Sequence, residues 1–144
     1  MHMDSLVDSL YKIRRIANDV RFWAEQHQAE YEDHPRNLTG MCAITAAKVF
    51  TRIKRAGIPA ELWLCEAPSY AHCFVVAEDH VIDVTATQFP RFKDTRIVML
   101  HTKEASVYGF YQFTEGFGSV KDLIKYQERH KWPIHQRVNK KEYP

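Results

Sequence analysis

The stretch His72-Cys73-Phe74-Val75-Val76-Ala77-Glu78-Asp79-His80-Val81-Ile82-Asp83-Val84-Thr85 contains two apolar runs separated by two acidic residues. β-branched and aromatic residues in short runs favour strands, and a two-residue polar separator is typical of a tight hairpin. We therefore predict antiparallel strands over residues 72–77 and 80–85. A two-residue loop pairs even-numbered positions with odd-numbered ones, so His72 and Asp83 share a face, side by side or one diagonal apart.

The other residues of the hairpin point to the opposite face of the sheet. Alternation along the strands places an apolar set there, namely Cys73, Val75, Ile82 and Val84. Their character predicts that this face is buried. We interpret Cys73 as a packing residue of the core, and Cys65 in the preceding strand in the same way.

Two helices are predicted before the hairpin. Apolar residues recur at steps of three and four from Leu6 to Ala24, which predicts an amphipathic helix of about 20 residues that begins at Asp4 or Ser5. Residues 28–40 are polar and contain a proline, so we expect a loop there. A second, alanine-rich helix follows this loop.

The limits of the second helix and the next strand follow from local signals. Thr39 is a possible N-cap, and Gly57 in the sequence Gly57-Ile58-Pro59 is a typical helix end. A strand is predicted over residues 60–65 and a loop over residues 66–70. Beyond the hairpin we predict strands at 96–100 and 108–113, and a helix that Ser119 caps and that ends near Arg129.

This order of elements indicates the fold class. Helices come first and a run of strands follows, which predicts an α+β fold with an antiparallel sheet. A chain of 144 residues corresponds to about one domain, so we expect a single domain over residues 1–144.

Composition excludes several classes of protein. The formal net charge is +2, which is too small to indicate nucleic-acid binding, and we interpret the basic cluster at residues 137–141 as a solvated terminus. No apolar run approaches the roughly 18 residues of a membrane span. Three cysteines without paired spacing argue against a disulfide framework, and the first residues lack the features of a signal peptide, so we expect a cytoplasmic protein.

Cys42 is the strongest candidate for a catalytic residue. It lies where the polar sequence Asn37-Leu38-Thr39-Gly40-Met41 enters the second helix, and a thiol in a first helical turn is stabilised as thiolate by the helix dipole. His72 on the following strand can accept its proton, and Asp83 can hold the imidazole in one tautomer. The three residues together predict a nucleophilic cysteine enzyme.

Acyl chemistry also requires groups that bind the oxyanion and the substrate. The backbone N–H of Cys42 is one donor, and the side-chain amides of Asn37 and Gln88 are further candidates. Tyr70, which lies two residues before His72 in the predicted loop, is the aromatic residue that we expect to contact substrate.

The motifs resemble the transglutaminase-like branch of the papain-like cysteine enzymes. The resemblance covers residues 37–89, through Gly40-Met41-Cys42, Arg55-Ala56-Gly57-Ile58-Pro59-Ala60, Ala71-His72-Cys73-Phe74-Val75 and Val81-Ile82-Asp83-Val84-Thr85. It is closest in appearance to the small leader peptidases of lasso-peptide maturation. The resemblance implies a papain-like (transglutaminase-like) core, with Cys42 as nucleophile, His72 as base and acid, and Asp83 as the orienting carboxylate.

From these observations we expect a cysteine hydrolase that cleaves a peptide, isopeptide or related amide bond through an acyl-enzyme on Cys42. The partner is a peptide or protein substrate, and no cofactor is implied. Acyl transfer, glutamine deamidation and a noncatalytic binding role on the same fold stay open as alternatives. A zinc site made of Cys42, His72 and Asp83, or of Cys65, His72, Cys73 and His80, has no recognisable ligand spacing.

Overall fold

The protein is an α+β structure in which two helices precede a five-stranded antiparallel sheet. The computed structural model describes residues 3–31, 38–67, 70–105, 111 and 115–144. Its helices are α1 (Met3–Tyr31), α2 (Cys42–Arg55), α3 (Thr102–Ala105) and α4 (Val120–Arg129). Its strands are β1 (Glu61–Ala67), β2 (Tyr70–Ala77), β3 (His80–Asp83), β4 (Val98–His101) and β5 (Glu115–Phe117), in the sheet order β4-β3-β2-β1-β5. The predicted fold class and antiparallel sheet are confirmed.

The hairpin of β2 and β3 has the predicted two-residue turn. Ala77 pairs with His80, and Val75 pairs with Ile82. The turn residues Glu78 and Asp79 have φ values of 52° and 58°, the left-handed conformation of turns that match the right-handed twist of paired strands. This turn sets the register of the two strands that carry His72 and Asp83.

Both faces of the sheet are covered. One face packs against α1 and α2, and its core includes Leu62, Leu64, Cys73, Val75 and Ile82. The other face has a second core that includes Phe74, Val76, Val81, Phe92 and Tyr111. Cys73 is buried as predicted, and Cys65 lies in the second core. The alternation predicted from the sequence is therefore present, with burial on both sides.

Helix α1 is longer than predicted and ends at Tyr31. The loop prediction was wrong for residues 28–31, because Gln28-Ala29-Glu30 are good helix formers and no glycine or proline interrupts the chain before Pro35. Although α1 is long, none of the helices in the described part of the chain is apolar enough over its length to cross a membrane.

Arg21 fixes α1 to the segment that follows β3. Arg21 is not one of the apolar residues of α1, yet its side chain is buried. Its Nη1 donates hydrogen bonds to Val84 O at 3.0 Å and to Thr87 Oγ1 at 2.8 Å, and its Nε contacts Glu25 at 2.9 Å. A buried guanidinium with these partners links the first helix to the chain directly after Asp83.

The entry to α2 uses backbone conformation instead of a polar cap. Met41 occupies the N-cap position without a side-chain hydrogen bond, so the predicted cap at Thr39 is wrong. Leu38 and Gly40 have φ values of 62° and 88°, and Met41 N donates to Leu38 O at 3.1 Å. A tight turn therefore delivers the chain into the helix at Cys42.

Other predicted boundaries have mixed outcomes. Gly57 has a φ of 81° after the end of α2, and Ser119 accepts a hydrogen bond from Asp122 N at 3.2 Å, so both helix signals are confirmed. Strands β1 and β2 extend into the predicted loop at 66–70, because antiparallel pairing continues to Ala67 and Tyr70.

The predicted strand at residues 108–113 lies mostly outside the described residues. Tyr111, which is described, is not part of a strand. The fifth strand is instead β5, which pairs with the edge of β1.

The C-terminal segment is folded onto the body of the protein. Val138 is buried, and its N–H donates to the side chain of Gln127 at 2.8 Å. The other end of the Gln127 amide donates to Gln136 O at 3.1 Å. The expectation of a solvated terminus is therefore wrong at Val138, because a buried glutamine in α4 binds the backbone of the tail.

Candidate active site

His72 and Asp83 form a buried hydrogen-bonded pair across the hairpin. In this register Asp83 lies opposite Phe74, so His72 is its diagonal neighbour on the same face. His72 Nε2 lies 2.6 Å from Asp83 Oδ2. The two residues are 0% and 2% exposed, so their interaction is shielded from water.

The Asp83 carboxylate has further donors on both oxygens. Thr85 donates to Oδ1 from its backbone N–H at 2.9 Å and from its hydroxyl at 3.3 Å. Tyr111 donates its hydroxyl to Oδ2 at 2.7 Å. Tyr111 was not among the predicted site residues, and its 28-residue separation from Asp83 gives no local sequence signal.

Cys42 is the first residue of α2 and contacts two consecutive residues of β2. Its thiol interacts with the His72 side chain and with the Cys73 thiol, and both interactions lower its pKa. Strand β3 ends at Asp83, so the part of β2 that precedes Phe74 has no β3 neighbour. A thiol from the α2 side can therefore reach the imidazole. Since Nε2 is hydrogen-bonded to Asp83, Nδ1 is the ring nitrogen through which His72 can exchange a proton with Cys42.

The electrostatics of the cluster favour charge separation between Cys42 and His72. Burial opposes the imidazolium, but the charge and hydrogen bond of Asp83, assisted by Cys42, raise the pKa of His72 to about 10. The interaction with Cys73 lowers the pKa of Cys42 most. Burial raises this pKa, but the hydrogen bond and charge of His72 lower it again, so the pKa of Cys42 lies well below its ordinary value. These shifts favour a thiolate next to an imidazolium.

The pKa values of Asp83 and of the adjacent Tyr111 are also shifted by burial and by neighbouring charges. Burial would raise the pKa of Asp83, but the positive charge of His72 and the hydrogen bonds from His72, Thr85 and Tyr111 lower it. Burial and the neighbouring Asp83 charge raise the pKa of Tyr111. Asp83 is therefore an anion, and Tyr111 is a neutral donor.

Aromatic rings surround the imidazole. Phe89 meets the His72 ring edge to face, with ring centroids 4.9 Å apart, and Phe74 lies at 6.4 Å. Phe74 in turn contacts Tyr111 at 5.0 Å. These rings exclude water around the His72–Asp83 pair, which strengthens its electrostatic interaction.

Three predicted site residues remain, Asn37, Tyr70 and Gln88, and the structure does not show any of them next to Cys42. Asn37 lies outside the described residues. Tyr70 is the first residue of β2 and not a loop residue. Gln88 donates its side-chain amide to Thr85 O at 3.0 Å, so it supports the residue that binds Asp83, and the structure does not place it against Cys42.

The alternative zinc sets find no geometric support within the described residues, where no group of three or more histidine, cysteine and acidic side chains is arranged to hold a metal ion. His80 pairs with Ala77 at the hairpin turn, five residues along β2 from His72 and thus about 17 Å away.

Comparisons of the chain with protein-family models, curated proteins and solved structures find no match. The site is therefore defined by its own geometry. The site contains a thiol at a helix N-terminus, an imidazole that interacts with it, and a buried carboxylate that is hydrogen-bonded to the imidazole. This arrangement is suited to nucleophilic attack by sulfur on an electrophilic carbon.

Proposed function

We propose that this protein is a cysteine hydrolase that cleaves a peptide, isopeptide or related amide bond of a peptide or protein substrate. The observation that carries the proposal is the 2.6 Å contact between His72 Nε2 and Asp83, supported by the interaction of the ring with Cys42 that shifts both pKa values. The relation to transglutaminase-like enzymes, including the lasso leader peptidases, is part of the same proposal.

In the first step, the Cys42 thiolate attacks the carbonyl carbon of the substrate. As a whole residue, Cys42 is 6% exposed and His72 is 0% exposed, and the sulfur is the atom that forms the bond to the substrate carbon. The N–H of Cys42 has no acceptor within the helix because it is the first residue of α2, and it is available to the oxyanion.

In the second step, His72 acts as general acid and then as general base. The imidazolium gives its Nδ1 proton to the leaving amine, and the acyl group stays on sulfur as a thioester. The neutral imidazole then removes a proton from water, which attacks the thioester and releases the acid. Asp83 remains ionised throughout and fixes the orientation of the ring.

The test is a thiol-reactive acyl probe library, with each adduct assigned by mass spectrometry. We expect rapid acylation at Cys42, no adduct at that position in Cys42→Ala, and unchanged labelling in the matched control Cys65→Ala. Equal labelling of the three cysteines in the folded protein would show that Cys42 is not activated.

Acyl transfer starts with the same thioester, so the fate of the acyl group distinguishes the two reactions. We expect the acyl-enzyme to release free acid in water, and methylamine to divert only a minor part to the amide. Predominant amide formation would instead assign the protein to the acyl transferases. Retention of the acyl group without turnover would exclude both hydrolysis and transfer of that group.

A further inference from the structure

We propose that an open cavity between the second half of α2 and the C-terminal segment binds a small anion that carries a phosphate group. The volume of the cavity is about 150 Å³. Its lining consists of Lys48, Thr51, Arg52, Arg55, Glu142 and Tyr143. None of these residues belongs to the cluster of Cys42, His72 and Asp83, so this is a second site, and the inference goes beyond the proposed hydrolysis.

The basic residues of the cavity lie on one face of α2. Lys48, Arg52 and Arg55 are spaced by four and three residues, and residues at these spacings are neighbours on a helix surface, where like charges repel each other. The helix dipole favours cations in the last turn, but it does not require them to line one cavity. Lys54 lies in the same turn and lines a different cavity, near the β2–β3 turn.

Lys48 is held in place from two sides. Its Nζ lies 4.2 Å from the centroid of the Trp23 ring in α1 and 3.5 Å from Glu142 Oε2. Glu142 ends the 3₁₀ helix Lys140–Glu142, which Asn139 caps with a side-chain hydrogen bond of 3.0 Å. The cation and its carboxylate partner are therefore positioned before any ligand binds.

The two arginines supply the unused binding capacity of the cavity. Arg52 and Arg55 are exposed, and within the described ranges of the chain neither has an ion-pair partner. A guanidinium presents a fork of N–H donors that matches the oxygens of a phosphate or carboxylate group. The hydroxyl groups of Thr51 and Tyr143 are further donors at the same cavity.

Charge and size select the class of ligand. Three cations and one carboxylate line the cavity, which leaves a net charge of +2. A phosphate group carries about −1.5 to −2 at pH 7 and balances this charge, whereas a single carboxylate balances half of it. The cavity is smaller than the roughly 300–1,000 Å³ of sites for drug-sized ligands. A free phosphate ion and the phosphate group of a small ester share the required chemistry.

The test is isothermal titration calorimetry at constant ionic strength, with inorganic phosphate as the first probe. We expect saturable binding to one site. Arg52→Gln and Arg55→Gln should each weaken it by about 10-fold or more, the loss typical for a hydrogen bond to a charged group. Lys54→Gln is the matched control, because it removes the same charge from the same turn, and it should change the affinity by less than about twofold.

Glu142→Gln tests the site in the opposite direction. It removes the carboxylate that competes for Lys48, so we expect phosphate to bind more tightly, by up to about fivefold. Glu128→Gln is its control, since Glu128 pairs with Lys140 at 2.8 Å and does not line the cavity. A variant that binds more tightly than the wild type cannot be explained by a loss of folding.

Glycerol 3-phosphate distinguishes the two sources of the phosphate group, because tighter binding than that of inorganic phosphate assigns the site to an ester and weaker binding assigns it to the free ion. Equal affinity for acetate, no saturation with either phosphate probe, or equal losses in Arg52→Gln and Lys54→Gln would overturn the inference. If the arginine variants do not fold, Glu142→Gln decides, since unchanged or weaker binding overturns it. Cys42→Ala should bind phosphate like the wild type, so a failure of the proposed hydrolysis leaves this result unaffected.

Discussion

Each oxygen of the Asp83 carboxylate accepts two hydrogen bonds, and this pattern makes the residue sensitive to a change of one atom. Oδ2 accepts from His72 and Tyr111, and Oδ1 accepts twice from Thr85. A carboxylate accepts at both oxygens, whereas an amide accepts at one end and donates at the other. The site therefore requires an ionised acid at position 83.

We predict that Asp83→Asn lowers the rate of acylation of Cys42 by at least about 100-fold at neutral pH. If the oxygen of the new amide faces Thr85, its NH₂ group faces His72 Nε2. Nε2 must then accept a hydrogen bond, so the ring proton lies on Nδ1. An imidazole that is protonated at Nδ1 cannot accept a proton from Cys42 at that nitrogen. Stopped-flow acylation with an activated ester measures the effect. Asp79→Asn, the same change in the exposed hairpin turn, is the control, and a rate equal to that of this control would make Asp83 a structural residue only.

Tyr111 orients the pair through Asp83 and does not contact Cys42 in this mechanism. We predict that Tyr111→Phe slows acylation about 10-fold and destabilises the fold by about 1 kcal/mol, because one hydrogen bond to a buried carboxylate is lost. The pH profile of acylation should shift as well, since Asp83 then accepts one donor fewer. Tyr11→Phe, at a 64% exposed position in α1, should change neither property. A loss of stability without a kinetic effect would limit Tyr111 to packing.

At the scale of the elements, the turn before α2 decides where Cys42 points. Gly40 has a φ of 88°, and a Cβ added there would lie 3.3 Å from Gln136 Cγ. Gly57, at the other end of the same helix, has a φ of 81° with nothing within 4 Å of an added Cβ. The two glycines therefore share a backbone requirement and differ in their surroundings.

We predict that Gly40→Ala and Gly57→Ala each cost about 1 kcal/mol of stability, because alanine is strained at positive φ. Only Gly40→Ala should reduce the acylation rate of Cys42, by about 10-fold or more, because the contact with Gln136 displaces the chain two residues before the nucleophile. Denaturation curves and acylation rates of both variants test this. Equal rates in the two variants would show that the turn has no part in placing the sulfur.

The elements that could be predicted from the sequence are those set by local rules. The β2–β3 register followed from a two-residue separator and strand alternation, and the ends of α2 and α4 followed from Gly57 and Ser119. Arg21 and Tyr111 could not be placed in the same way, because their partners lie 63 and 28 residues away and no periodicity encodes such contacts. The C-terminal end of α1 was missed because composition alone made a helical segment resemble a loop.

At the scale of the whole molecule, stability and chemistry depend on the same buried charges. The pKa shifts of the folded site favour a Cys42 thiolate, a His72 imidazolium and an Asp83 carboxylate, all of them buried. Each of these groups has a different pKa in the unfolded chain. The free energy of unfolding must therefore vary with pH in a way that reports the ionisation of the site.

The signs of these contributions oppose one another near neutral pH. The pKa of His72 rises from 6.5 to about 10 on folding, so its stabilisation is complete below pH 6.5 and is lost as the pH rises toward 10. The pKa of Cys42 falls from 9.0, so its stabilisation grows as the pH rises toward 9.0. Above the lowered pKa of Cys42 and below pH 9.0, the folded state holds one more proton on His72 and one fewer on Cys42, so the two slopes oppose each other.

We predict that the free energy of unfolding of the wild type varies less between pH 6.5 and 9 than that of Cys42→Ala. Above pH 9 it falls, because only the loss of His72 protonation remains and the raised pKa values of Cys73 and Tyr111 add to that loss. Cys42→Ala removes one side of the balance, while Asp83 still raises the pKa of His72. Its stability should therefore decrease from pH 6.5 upward, with a slope that approaches about 1.4 kcal/mol per pH unit. Urea denaturation at four pH values between 6.5 and 9.5 measures both profiles, with Cys65→Ala expected to follow the wild type. A flat profile in Cys42→Ala would mean that His72 is neutral in this folded variant, which would contradict the prediction that Asp83 alone keeps the imidazole protonated.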